Sequence, residues 1–183
     1  MEAARDRILR IRHLMDVELQ VRAATEYDLE CVALSIRKCI ELVAIASIAA
    51  NRADYEKVRE GFASDWNARL IFRDIERLNP DFFPGPFEFE DETTMRYPSY
   101  DCLTKEGAIT TYEQASRFLH ARNWYAAAID VESELRALNR KALLLQSLLR
   151  SFEVRLLPSN FLYFVLLNFD NDDGVQVALA AEA

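Results

Sequence analysis

The residues best suited to chemistry stand together in Arg117-Phe118-Leu119-His120-Ala121-Arg122-Asn123. Arg117 and His120 are three positions apart, so on a helix they face the same way, and Arg122 and Asn123 follow within the next turn. An imidazole that titrates near neutrality moves a proton, and a guanidinium holds a phosphate or the charge that develops on it. Together these groups suit metal-free RNA cleavage through the 2′-hydroxyl. The same residue types near a helix C-terminus also satisfy free carbonyls and complement the helix dipole, and residue type alone leaves both readings open. Arg37 and Glu41 form a second pair, four residues apart inside a strongly apolar run. They read either as an ion pair at the rim of a helix or as a pair lining a cleft, because charge inside so apolar a helix is costly unless partnered. His13 follows Arg7 with five residues between, but it lies on a highly charged segment, where a solvated face explains it better.

The elements that must position these groups are mainly helical. From about Ala3 to Ala23, Ile8, Ile11, Met15 and Leu19 recur at helical spacing with charges on the other faces, which predicts an amphipathic helix. A second helix begins near Tyr27, with Thr25 as its cap. It runs through CVALSIRKCIELVAIASIAAN, apolar on nearly every face, and should be the central buried helix. One or two helices over Asp54 to about Leu78 have Gly61 as a break and Trp66, Leu70 and Ile75 as packing positions, and Asn79-Pro80 ends the run.

Residues 79–103, rich in Pro, aromatic and acidic side chains, carry no period and read as a long loop. Phe82, Phe83, Phe87, Phe89, Tyr97 and Tyr100 should pin parts of it, while Glu88, Glu90, Asp91 and Glu92 stay solvated. Thr104 caps a helix that reaches about His120, so the polar motif sits at a helix C-terminus. A further helix from about Val131 to Val154 carries Leu135, Leu138, Ala142, Leu145, Leu149 and Phe152. FLYFVLLNF and VQVALA then flank Asp170 to Gly174 as a hairpin, with Val175, Val177 and Leu179 alternating as in a half-buried strand. The expected architecture is a single mainly α domain over 1–183. It comprises an antiparallel helical bundle over about 3–155, the loop at about 79–103 and a C-terminal β-hairpin at about 160–181.

Composition narrows the function classes. With 51% hydrophobic and 28% charged residues, the 183-residue chain can bury a substantial core. A formal net charge of −8 argues against broad attraction to nucleic acid, which needs clustered Lys and Arg, and leaves room for a local basic site. Cys31, Cys39 and Cys102 show no paired spacing, and only two histidines occur, so reduced thiols are expected and no metal site or cofactor is. The four glycines are dispersed and build no phosphate loop. The charged N-terminus lacks a secretory core, and no apolar run reaches about 18 residues, so the expectation is a cytoplasmic protein without a membrane span.

The helical plan, the IRKCIELVAIASI helix carrying an Arg and a Glu, and the later SRFLHARN segment resemble the HEPN superfamily, in element order over about residues 28 to 155. The resemblance implies a homodimer and a metal-independent endoribonuclease, with a role in bacterial toxin–antitoxin or antiviral defence systems. In that superfamily the site pairs an Arg with a His a few residues further on. Arg122 and Asn123 match the Arg and the polar residue that commonly follows it, whereas His120 precedes Arg122 instead of following it. An alternative role, suggested by the acidic balance, is a non-catalytic module whose acidic loop and hairpin engage a protein partner.

Overall fold

The computed structural model describes residues 1–50, 68–91, 94–120, 128–156, 161–171 and 173–181. Helix α1 spans Glu2–Asp16 and is followed by a 3-10 turn at Glu18–Gln20; helix α2 spans Glu26–Ala50 and helix α3 Ala68–Leu78. Short strands β1 (Gly85–Pro86), β2 (Glu88–Phe89) and β3 (Met95–Arg96) lead to helix α4, Lys105–Ser116. A 3-10 turn at Arg117–Leu119 extends α4; helix α5, Val131–Arg150, then runs directly into β4 (Ser151–Leu156), and β5 (Phe161–Leu166) and β6 (Gln176–Ala181) complete the chain. The protein is mainly α with a small antiparallel sheet.

Helix α2 is central because it is apolar over most of its circumference. It touches α1, α3, α4 and α5, and Val32, Ala33, Ile36, Cys39, Ile40, Val43 and Ala44 are all buried. Its start is closed by a reciprocal cap: the Thr25 hydroxyl accepts from the Asp28 amide at 3.2 Å, and the Asp28 carboxylate accepts from the Thr25 amide at 2.9 Å. Helix α5 buries Leu135, Leu138, Ala142, Leu145 and Leu149 against this core, as their spacing predicts. Helix α4 has the expected cap, the Thr104 hydroxyl accepting from the Gly107 amide at 3.1 Å.

Several boundaries differ from expectation. Helix α1 stops at Asp16 rather than Ala23. Helix α5 ends at Arg150, and Ser151–Leu156 is a strand rather than the helix's last turn. Phe152 and Val154 alternate inward there and are buried, while the strand pairs along its whole length with β5 from Ser151↔Leu166 to Leu156↔Phe161. The hairpin is therefore part of a four-stranded sheet in the order β1-β4-β5-β6. On α3, Ile75 is buried as expected, but Leu70 faces outward and Ile71 and Phe72 do the packing. The expected break at Gly61 and packing position at Trp66 lie outside the described residues.

The segment over 79–103 is more structured than a loop. Gly85↔Glu153 and Pro86↔Phe152 add it to the sheet, and Glu88↔Arg96 and Phe89↔Met95 fold it back on itself. Phe82 and Phe87 are buried and pin it, with Phe82 and Phe72 ring centroids 5.5 Å apart, whereas Phe89 and Tyr97 are exposed. Glu88 is paired with Arg96 at 2.8 Å rather than solvated.

The β5–β6 turn is docked on α1. Gly174 takes φ +69°, which favours glycine, and the following Val175 amide donates to the Glu2 carboxylate at 2.8 Å. Arg5 donates to the carbonyls of Asn168 and Asn171 at 3.0 and 2.6 Å. Strands β4 and β5 lie on the helices, but β6 is exposed at every residue, with Val177 at 59% and Leu179 at 56%. The half-buried reading of that strand is corrected: β6 is the sheet's outer edge, past the reach of the helical layer.

Candidate functional site

Helix α4 positions the polar motif by coming to an end. Ser116 donates back to the Tyr112 carbonyl at 2.7 Å, the 3-10 turn Arg117–Leu119 follows, and His120 adopts extended backbone with φ −105° and ψ 147°. Leu119 and Phe118 pack on the core while Arg117 and His120 are exposed. Both line an open cleft of about 560 Å³, whose opposite wall is the first turns of α2. That wall presents Glu26, Tyr27, Glu30, Cys31 and Leu34, and Ile129 closes one end. The spacing of Glu26, Glu30 and Leu34 is the helical i, i+4, i+8 pattern that puts them on one side.

Arg117 and His120 are thus brought together in one cleft, while Arg122 and Asn123 lie outside the described residues. Among the described residues, the side chains of Arg117, His120 and Glu30 form no ion pair or hydrogen bond. The cleft therefore holds a guanidinium, an imidazole and a carboxylate available to a ligand. Glu26 and Glu30 were missed from the sequence. Their four-residue spacing beside Tyr27 was visible, but nothing showed that the end of α4 would face them.

Arg37 and Glu41 occupy a different place and are not among the residues that line this cleft. The buried Glu41 carboxylate accepts from Arg37 at 3.0 Å, from Lys38 at 2.7 Å and from the Tyr112 hydroxyl at 3.4 Å. The Arg37 guanidinium also sits 5.0 Å from the centre of the Tyr112 ring. Burial pulls the Arg37 guanidinium down, but the hydrogen bond to Glu41 and the neighbouring charges leave it raised overall. Through Tyr112 this knot ties α2 to α4, and the Glu41 carboxylate is fully engaged within it.

A second such knot closes the start of α2. Arg22 donates to both Asp28 oxygens at 2.7 and 2.8 Å and to Glu18 at 3.0 Å. The Arg22 hydrogen bonds hold the Asp28 carboxyl far below the usual carboxylate range, against the opposing effect of burial. His13 is exposed, 3.9 Å from Glu18, as a solvated face would have it.

The three cysteines are free thiols. Burial pushes Cys39 up to about 12, so it stays a protonated core thiol. Cys31 lies at the cleft wall beside Tyr27, and its proximity raises that phenol. Among the described residues no group of three or more His, Cys, Asp or Glu side chains is arranged to hold a metal ion. No described helix is long and apolar enough to cross a membrane. No protein-family model matches the chain, and no curated protein or solved structure matches it either.

Proposed function

We propose that the protein is a metal-independent endoribonuclease of HEPN-like type and that the cleft between α2 and the end of α4 is its active site. The observation that carries this reading is that Arg117 and His120 share one open cleft, exposed and without internal partners among the described residues. In the reaction the 2′-oxygen attacks the adjacent phosphorus and the bond from phosphorus to the 5′-oxygen breaks. The products carry a 2′,3′-cyclic phosphate and a 5′-hydroxyl. One group must take the proton from the 2′-hydroxyl and another must give one to the leaving oxygen.

In this reading Glu30 takes that proton and His120 gives one, while Arg117 holds the phosphoryl oxygens as their charge grows. Arg122 and Asn123, next in the chain, are assigned to the same phosphate by the family resemblance. That resemblance also assigns a homodimer and a setting in defence or toxin–antitoxin systems. Digestion of total RNA in EDTA, comparing the wild type with His120→Ala, tests the reading; proton-transfer catalysis contributes about 10²–10⁴-fold, and a loss in that range is expected.

A second reading is favoured by β6. Its six residues are exposed, and it bears no charge, proline or bulge of the kind that normally blunts an edge strand. A non-catalytic role would use this edge, with the acidic segment over 79–103, to bind a protein partner by strand addition. Val177→Lys with Leu179→Lys should then release a co-purifying partner while leaving the melting temperature unchanged; retention of the partner argues against the edge.

A further inference from the structure

The cleft holding His120 has a neighbour. A second cleft, of about 470 Å³, lies between α1 and α2 and is lined by Arg7, Arg10 and Leu14 on one side. On the other side it shares Tyr27, Cys31 and Leu34 with the first. The two clefts are therefore separated by a single ridge, the outer face of α2's first turns. On that ridge Tyr27 is 72% exposed and Leu34 42%, with the carboxylates of Glu26 and Glu30 on its His120 side.

The charges on the α1 side are uneven. Its acids, Glu18 and Asp28, are both engaged by Arg22. Arg7 and Arg10, three residues apart on one face of α1, form no ion pair or side-chain hydrogen bond among the described residues. Elsewhere Arg12, Arg37, Arg96, Arg136 and Arg150 each meet a carboxylate. In a chain of net charge −8, guanidiniums without an internal partner stand on both sides of an exposed aromatic ring. A chain of phosphates and flat bases fits that pattern, with phosphates on the guanidiniums and a base on the ring.

We propose that the cleft between α1 and α2 is a nucleotide-binding subsite, in which Arg7 and Arg10 hold a backbone phosphate and Tyr27 stacks a base of single-stranded RNA. The strand crosses the Tyr27–Leu34 ridge into the cleft of Arg117 and His120. The inference rests on the ribonuclease reading for the direction of the strand, but the subsite can be tested separately. A duplex would not serve, because its bases are already stacked and cannot reach the ring.

The test is fluorescence anisotropy with a 2′-O-methyl oligonucleotide of about eight nucleotides, which suits a groove of this kind and cannot be cleaved. Parallel assays measure cleavage of the same sequence as RNA. Tyr27→Ala should weaken binding about tenfold and Tyr27→Phe less than about twofold, since stacking needs the ring and not the hydroxyl. Arg7→Ala with Arg10→Ala should weaken it at least about tenfold and flatten the salt dependence. Arg10→Ala alone, at an exposed position, keeps the test valid if the double variant does not fold. His120→Ala should abolish cleavage and retain binding.

Equal binding by the wild type and the Tyr27 and Arg variants overturns the subsite, even if His120-dependent cleavage is found. Binding that depends on Tyr27 and Arg10 without any cleavage supports the subsite and sinks the nuclease reading. Absence of binding by the wild type overturns the subsite outright.

Discussion

Two regions on α2 carry charge and use it in opposite ways. At Glu41 a buried carboxylate is met by Arg37 and Lys38 of its own helix and by Tyr112 of α4. Two to three turns earlier, α2 faces Arg117 and His120 across an open cleft, where both side chains are exposed and have no internal partner among the described residues. Both regions contain an Arg and a Glu: in the first they are neighbours on α2, and in the second they line opposite walls of the cleft. The difference is whether the charges satisfy one another or are left for something else. Charge closed on itself stabilises the fold, whereas charge left open is more readily explained by a ligand.

The sharpest break in that comparison is at Glu41. Glu41→Ala strands a partly buried guanidinium and should cost about 3 kcal/mol, measured by urea unfolding. If stability were unchanged, the knot would not be structural. The second knot should show itself through pH. Hydrogen bonds from Arg22 keep the Asp28 carboxyl depressed in the folded state, so its contribution is fully present above the ordinary carboxylate value near 4 and is lost as pH falls below it. Arg22→Ala should lower stability at neutral pH and flatten the acid limb of the stability curve, followed by thermal melting from pH 7 to pH 2.

A smaller loss, about 1 kcal/mol, is expected from Thr104→Ala, which removes the α4 cap. The smallest effect should come from Arg117→Ala, within about 0.5 kcal/mol of wild type, because the side chain is exposed and holds nothing in the fold. A large loss there would move Arg117 into the closed class and remove it from the site.

The helical plan was legible because α2 and α5 advertise their faces: Leu135, Leu138, Ala142, Leu145 and Leu149 sit at positions that only a helix buries together. Strand β4 was not, since Phe152 continues the helical stripe of α5 and fits strand alternation equally well. Pairing with β5 decides the matter, and that is a non-local interaction. The same holds for β1, which joins the sheet through Glu153 and Phe152, far along the chain.

For the site, residue type singled out Arg117 and His120, and i, i+3 spacing placed them together. Arg7, Arg10 and Glu30 were hidden among many similar charges on α1 and α2. What distinguishes them is which neighbours find a partner, and that depends on how α1, α2 and α4 pack.

The most direct test of the open cleft is cleavage itself. Wild-type protein and His120→Ala, matched for melting temperature, are incubated with RNA in EDTA, and the products are examined for 2′,3′-cyclic phosphate ends. Cleavage by the wild type with a loss of about 100-fold or more in the variant is expected for an imidazole that transfers a proton. Equal cleavage by both proteins, or none by the wild type, would contradict a catalytic His120.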